Sequence, residues 1–297
     1  MGWVLPGGGK DAANMKREVF WDRLRALGWE EGRNLQVERR YARGNTEAFR
    51  GFMEEMVQQK VDIIVTASTP GALAAKRATD TIPIVVHYMS DPVGTGLASS
   101  LAHPGGNLTG MSYAVGGGIP GKWLELLREM VPKLSTVAIL SNSDNPIWRM
   151  VEDDIGTAAV TKDVKTVVFP VHAASEIETS LQRARQRAQA VIVVPDGLFI
   201  QNHNQIVTMV ARLRLPAMYG FSNFVNVGGL MSYGPDPAEA WGHAAVYVDK
   251  ILRGANAGEL PIVQPAQFSL AVNLKTAKAL GLTISQSVLL QANEVIR

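Results

Sequence analysis

Residues 61–110 contain the pattern that most constrains how this chain can fold. Two short runs rich in β-branched residues, 61–66 and 82–87, each end in a small polar cluster, and an Ala-rich helical pattern over 71–76 follows the first cluster directly. Strand, polar turn, helix and strand in this order are typical of a parallel, doubly wound sheet. We therefore predict an α/β fold built from βα units.

The polar clusters after these two strands predict the position of a binding site. Ser68 and Thr69 follow the first run, and Ser90 and Asp91 follow the second. Ligands of parallel sheets bind outside the carboxyl ends of the strands, where helix N-termini present unpaired N–H groups. A hydroxyl at this position can cap the helix, hold a ligand carboxylate, or do both. For Asp91, which precedes Pro92, a helix cap with proline in the first turn is the favoured interpretation.

The alternation of strands and helices extends along the chain and indicates two lobes rather than one sheet. The glycine-rich segment 115–121 is predicted to be a hinge or crossover, and the pattern begins again after it. A single sheet of about ten strands would be unusual, which favours two similar lobes. The predicted strands are 2–5, 35–41, 61–66, 82–87, 108–111, 136–141, 165–171, 190–195, 217–219, 230–233 and 268–272, and the predicted helices are 15–27, 46–56, 71–76, 122–130, 145–160, 175–188, 201–212, 238–252 and 274–280.

The second half of the chain contributes its own candidate ligand-binding residues. Asp196 follows the strand over 190–195 and is either a partner for a ligand ammonium or the cap of the next helix. Aromatic residues in helices usually belong to the core, but several near one sheet edge can form the wall of a pocket for a flat ligand. The aromatic candidates are Phe199, Tyr219, Phe221 and Phe224, with Tyr233 placed similarly at the expected crossover.

Composition excludes several classes of function. The net charge is +2 and the Lys and Arg residues are dispersed, so no segment resembles a nucleic-acid footprint. The chain has no cysteine, which excludes disulfides and Cys-based zinc sites. No apolar run approaches the ~20 residues that a membrane-spanning helix needs.

Motifs for catalysis or cofactor binding are missing. Residues 6–10 form a glycine-rich turn, but Lys10 is followed by Asp11 where a phosphate loop needs Ser or Thr, and there is no G-x-G-x-x-G fingerprint. The five histidines lack metal-ligand spacing, no G-x-S-x-G elbow occurs, and no pair of carboxylates is placed by its spacing for general acid–base catalysis. We therefore expect no catalytic residue, no metal and no cofactor.

The N-terminal residues MGWVLP predict a strand that starts at once. A secretory signal has a basic n-region followed by an apolar h-region, and neither is present. Two interpretations stay open, a cytosolic protein or the mature form of an exported one.

Three stretches together resemble one protein family. They are residues 91–112 (DPVGTGLASSLAHPGGNLTGMS), residues 122–140 (KWLELLREMVPKLSTVAIL) and residues 228–284, which begin GGLMSYGPDPAEAW. They are similar to the solute-binding proteins of ABC importers, in the group of the tryptophan/tyrosine-type binding proteins, and the resemblance covers nearly the whole chain. It implies the type I periplasmic-binding-protein fold, in which two Rossmann-like lobes with parallel sheets are joined by a three-crossover hinge. Lobe 1 would comprise 1–114 with 235–263, and lobe 2 would comprise 115–234 with 264–297, with the ligand cleft between the lobes.

The resemblance also implies which groups contact the solute. It places the solute carboxylate near the strand-end hydroxyls of Ser68, Thr69 and Ser90. It places an amino or polar group of the solute near Asp196, with further contacts from residues 219–221 and from Tyr233.

From the resemblance we predict an extracytoplasmic, non-enzymatic receptor at the periplasmic or extracellular face, acting as a monomer. It would capture a small carboxylate-bearing solute, an amino acid or a related aromatic compound, by hinge closure and deliver it to an ABC permease in the membrane. The sequence lacks the export signal or lipoprotein cysteine of the family, so this location presumes a removed signal. A ligand-sensing module of a signalling system and a small-molecule enzyme on the same scaffold stay open as alternatives.

Overall fold

The computed structural model describes residues 1–8, 16–113, 118–131 and 133–297. The chain divides into two compact units, Met1–Ala114 with Asp236–Ala266 and Val115–Pro235 with Gln267–Arg297, so it passes from one unit to the other three times. Three sequence-based predictions lie outside the described residues, in whole or in part. They are the end of the glycine-rich turn 6–10, the start of the helix predicted from residue 15, and the first three residues of the expected hinge 115–121.

Strands and helices alternate along most of the described chain. The strands are β1 (Gly2–Leu5), β2 (Glu38–Tyr41), β3 (Ile64–Thr66), β4 (Ile84–Met89), β5 (Leu108–Ser112), β6 (Thr136–Asn142), β7 (Lys165–Val171), β8 (Ala190–Val193), β9 (Ala217–Tyr219), β10 (Met231–Pro235), β11 (Phe268–Asn273) and β12 (Glu294–Ile296). The helices are α1 (Glu18–Ala26), α2 (Ala48–Gln58), α3 (Thr69–Ala78), α4 (Ile119–Met130), α5 (Trp148–Val160), α6 (Ile177–Arg187), α7 (Gly197–Gln201), α8 (His203–Arg212), α9 (Asn223–Asn226), α10 (Pro237–Leu252), α11 (Leu274–Leu280) and α12 (Gln286–Gln291).

The first unit is built on a five-stranded sheet in the order β2-β1-β3-β4-β5, and every pair in it is parallel. All six residues of β4 are buried, as expected for a central strand covered on both faces. The helices of this unit come from distant parts of the chain. Helix α10 packs against α1 and adds Trp241 and Val248 to the core that contains Trp3 and Phe20. The chain therefore returns to complete the first unit after most of the second unit has been built.

The second unit contains a seven-stranded sheet in the order β12-β11-β10-β9-β8-β6-β7. Its pairs are parallel, as predicted, except that β10 and β11 are antiparallel, with Pro235 opposite Phe268. The reason lies in the connectivity. The chain leaves the second unit at the carboxyl end of β10 and re-enters it beside that same end, so β11 must run in the opposite direction.

Most predicted elements are confirmed, with the same bounds for β1, β7, β9 and α11. The strand predicted over 35–41 is shorter, because residues 31–35 form a turn closed by a bridge between Glu31 and Leu35. Short elements such as α7, α9, α12 and β12 are absent from the prediction, since three to six residues carry too little periodicity. Within the described residues, no helix has both the length and the apolar character needed to cross a membrane.

Candidate functional site

The carboxyl ends of β3 and β4 bring two of the predicted hydroxyl residues into direct contact. The Thr69 hydroxyl accepts a hydrogen bond from the backbone N–H of Ser90 at 2.9 Å, and both residues are buried. The Ser68 N–H donates to the carbonyl oxygen of Tyr88 at 2.7 Å, which ties the same two loops together. The structure therefore places Ser68, Thr69 and Ser90 at one edge of the first sheet, because the two parallel strands end side by side.

Ser68 has an unusual backbone conformation at this edge. Its φ of 72° and ψ of 155° lie in a region that favours glycine, where a residue with a side chain costs about 1–3 kcal/mol. Its hydroxyl, which is half-buried, caps α3 through a long hydrogen bond of 3.4 Å from the N–H of Gly71. The capping interpretation is thus confirmed, and the weak cap leaves the oxygen available to a second donor.

Asp91 does not cap a helix, which corrects the interpretation favoured from the sequence. Residues 92–97 form successive turns, and the Asp91 carboxylate accepts from the N–H of Gly94 at 2.9 Å. Asp91 itself has a positive φ of 41°, which an aspartate tolerates better than most residues. The Asp-Pro pair therefore starts a turn, because the carboxylate closes a local hydrogen-bonded loop instead of the first turn of a helix.

A buried histidine lies behind this edge in the first unit. The ring of His87 stacks on that of Trp241 with 3.7 Å between centroids, and its Nε2 lies 3.4 Å from the Pro237 carbonyl oxygen. Burial, with a smaller contribution from the positive charge of Arg17, lowers the pKa of His87 to about 3. His87 is therefore neutral in the folded protein at ordinary pH. Among the described residues no group of His, Asp and Glu is arranged to hold a metal ion.

Asp196 follows β8 in the second unit and is held by three donors. The side-chain amide of Asn142 donates to one carboxylate oxygen at 2.9 Å, and that of Asn145 donates to the other at 2.8 Å. The backbone N–H of Leu198 also donates to the Asp196 carboxylate, at 2.7 Å. Asp196 therefore caps α7, which confirms the capping interpretation made from the sequence. A carboxylate has about four lone-pair sites, and three bonds leave capacity for one further donor.

The electrostatics of Asp196 suit it to a cationic partner. Its side chain is buried, and burial raises the pKa of the carboxyl, an effect that the hydrogen bonds from Asn142, Asn145 and Leu198 oppose. A buried carboxylate whose charge is compensated only by neutral donors would be stabilised by a ligand ammonium. The sequence analysis did not identify Asn142 and Asn145, although Asn142 is the last residue of β6, the neighbour of β8 in the sheet, and Asn145 follows it by three positions.

The aromatic residues predicted to form one pocket wall divide into two groups. Phe199 and Tyr219 have no exposed surface and lie in the hydrophobic core with Phe224, on which the Tyr219 ring stacks at 4.6 Å. Core packing, the alternative that the sequence analysis left open, describes these three rings in the structure, and a role of Phe199 and Tyr219 in solute binding stays a prediction. Phe221 is also buried, whereas Tyr233 is partly exposed and stacks on Phe268 at 5.8 Å. For Phe221 and Tyr233, contact with a solute stays a prediction.

Two glycines hold the strand ends of the second unit closely together. A Cβ on Gly220 would lie 2.2 Å from Pro195 Cγ, and one on Gly234 would lie 1.9 Å from the Gly220 carbonyl oxygen. Because these contacts exclude any side chain, the segments after β8 and β9 and the end of β10 approach more closely than other residues would allow. Asp196 and the residues that follow Gly220 therefore share one edge of the second sheet.

Comparisons with known proteins agree with this architecture. The family model of the ABC transporter substrate binding proteins matches residues 9–296. A curated tyrosine-binding protein of Clostridioides difficile (strain R20291) is 25% identical over 266 residues, which span 90% of this chain and 76% of that protein.

Two solved structures have the same fold. A conserved domain protein of Vibrio cholerae O1 biovar eltor is 26% identical with a TM-score of 0.91, covering 99% of this chain and 98% of that one. An ABC domain of Streptococcus pneumonia in complex with L-Trp is 22% identical with a TM-score of 0.89, covering 100% of both chains. Both likenesses support the type I periplasmic-binding-protein fold that the sequence resemblance implied.

Proposed function

This chain belongs to the family of ABC transporter substrate binding proteins, and from that premise we propose that it binds an α-amino acid with an aromatic side chain for import. The proposed solute carries a carboxylate and an ammonium. The protein would act at the extracytoplasmic side of the membrane, capture the solute by hinge closure of its two lobes and release it unaltered to an ABC permease. The names of the relatives support this class of solute, because one is a tyrosine-binding protein and another was solved with L-Trp.

The buried carboxylate of Asp196 is the observation that carries the proposal. Three neutral donors fix its orientation, and its remaining lone pair suits an ammonium group. A charge-assisted hydrogen bond of this kind contributes about 1.5–3 kcal/mol to binding. In the first unit, the Ser68 hydroxyl at the start of α3 is proposed to bind the solute carboxylate, which the positive end of the helix dipole also favours.

Solute binding is tested directly by thermal unfolding. L-Tryptophan and L-tyrosine should each raise the melting temperature in a concentration-dependent way, because a ligand that binds only the folded state stabilises it by mass action. D-glucose and L-lysine serve as controls that lack the aromatic ring. A melting temperature that responds to neither aromatic amino acid, with no binding heat in calorimetry, would contradict the proposal.

Two substitutions test separately how the protein recognises the ammonium and the carboxylate of the solute. Asp196→Asn keeps the side-chain shape and a helix-capping oxygen but removes the negative charge. It should weaken binding of L-tryptophan and tryptamine by about 10- to 100-fold, the equivalent of one charge-assisted hydrogen bond, and leave 3-indolepropionate unchanged. Ser68→Ala should show the opposite selectivity, with about tenfold weaker binding of L-tryptophan and 3-indolepropionate and unchanged binding of tryptamine.

Titration calorimetry of both variants against the three ligands gives the comparison. Ser143→Ala is a matched control, because this serine hydroxyl also follows a strand of the second sheet but contacts the side chain of His172. Equal affinities of the wild type and both site variants for all three ligands would show that these edges do not bind the solute.

A further inference from the structure

Asn223 is a polar residue at the same edge as Asp196 that the sequence analysis did not identify. It is the first residue of α9 and follows Tyr219, the last residue of β9, by four positions. The intervening Gly220 is pressed between Pro195, beside Asp196, and Gly234 at the end of β10. Asn223 therefore comes directly after the point at which the three strand ends of the second unit meet.

Both polar atoms of the Asn223 side chain are buried and unpaired. Only 5% of the residue is exposed, and neither Nδ2 nor Oδ1 has a hydrogen-bond partner among the described residues. The hydroxyl of Tyr219, on the strand that leads to α9, is likewise buried and lacks a partner in the described part of the chain. Buried polar groups without partners oppose folding and are rare in native proteins, so each one requires an explanation.

A structural role does not explain this amide. Asparagines that stabilise the second unit use their side chains within it, as Asn142 and Asn145 do toward Asp196 and as Asn273 does toward the Val225 carbonyl oxygen. The Asn223 side chain forms no such bond with any residue that the structure describes, and it does not cap α9, since Ser222 occupies the cap position. An apolar residue of similar size would fill the same space without unpaired polar atoms.

We propose that Asn223 is a solute-binding residue whose amide recognises both charged groups of an α-amino acid. Its Nδ2–H donates to the solute carboxylate, and its Oδ1 accepts from the solute ammonium that Asp196 neutralises. A neutral amide suits this task because it offers a donor and an acceptor side by side and brings no net charge into a buried position. This inference rests on the proposed function and specifies its solute class, which is amino acids with free, adjacent amino and carboxyl groups.

Substitution by leucine distinguishes ligand recognition from a structural role. Asn223→Leu removes both unpaired polar atoms, so the melting temperature without ligand should be equal to or higher than that of the wild type. Its affinity for L-tryptophan should nevertheless fall at least tenfold in titration calorimetry, while tryptamine and 3-indolepropionate, which each lack one charged group, should lose less. Asn226→Leu is the matched control, because Asn226 lies on the same short helix but is exposed.

The outcomes separate this inference from the proposal on which it rests. If the wild type binds L-tryptophan and Asn223→Leu binds it equally well, the inference is wrong and the proposed function stands. If Asn223→Leu melts at a lower temperature and Asn223→Ala binds like the wild type, the amide is structural and the inference is again wrong. If the wild type binds neither L-tryptophan nor L-tyrosine, both fail together.

Discussion

Replacing Gly110 with alanine is expected to lower the free energy of unfolding of the first unit by more than about 4 kcal/mol. Gly110 lies in β5 opposite Val86 of β4, and a Cβ at this position would lie 2.0 Å from the Val86 carbonyl oxygen. Its φ of +146° is also one that residues with side chains rarely adopt. The obstacle is backbone in a buried parallel sheet, so neither partner can move aside without breaking the pairing of β4 with β5.

Urea unfolding followed by tryptophan fluorescence measures this loss, since Trp3 and Trp241 report on the core of the first unit. Gly51→Ala provides the matched control in the same unit. Gly51 lies in α2 with open space around its Cα, so alanine there should leave stability unchanged or raise it by up to about 1 kcal/mol. A Gly110→Ala protein with the wild-type unfolding midpoint would show that β4 and β5 do not approach as closely as described.

The second large effect is a loss of stability in acid that is caused by the buried His87. The pKa of His87 is about 3 in the folded protein and about 6.5 in the unfolded chain. Between these values the unfolded state binds a proton that the folded state excludes, so the free energy of unfolding falls as the pH falls below 6.5. At about 1.4 kcal/mol per pH unit, His87 should remove about 2 kcal/mol by pH 5 and about 3 kcal/mol by pH 4. Above about pH 7 the same residue should have no effect on stability.

Comparison of variants isolates this contribution from the carboxyl groups that also titrate in acid. His87→Phe keeps an aromatic ring to stack on Trp241 but cannot bind a proton, so its stability should fall less steeply from pH 7 to pH 4. His103→Gln, at an exposed histidine of the same unit, should follow the wild-type curve. Parallel curves for the wild type and His87→Phe would mean that His87 is protonated without cost in the folded state.

The local sequence was sufficient to predict the α/β fold. Strand and helix periods depend on neighbours within a few residues, so the order of the elements follows from the pattern of apolar residues. The edge of the first sheet at which Ser68 and Ser90 lie was predictable for the same reason, and so was the edge of the second sheet at which Asp196 lies, because the end of a strand is a local feature and parallel strands bring their ends to one side of their own sheet.

Contacts between distant residues decided what the sequence alone did not. The amides of Asn142 and Asn145 reach Asp196 across 54 and 51 positions of the chain. The direction of β11 depends on where the chain re-enters the second sheet, which no local period encodes. Phe199 is of a residue type that suits a pocket wall, but in the structure it lies in the core. The sequence does not decide between these locations, because burial depends on which distant residues pack against a side chain. For the same reason only the tertiary structure identified the unpaired amide of Asn223, because a buried polar group is recognised by its surroundings and not by its neighbours in sequence.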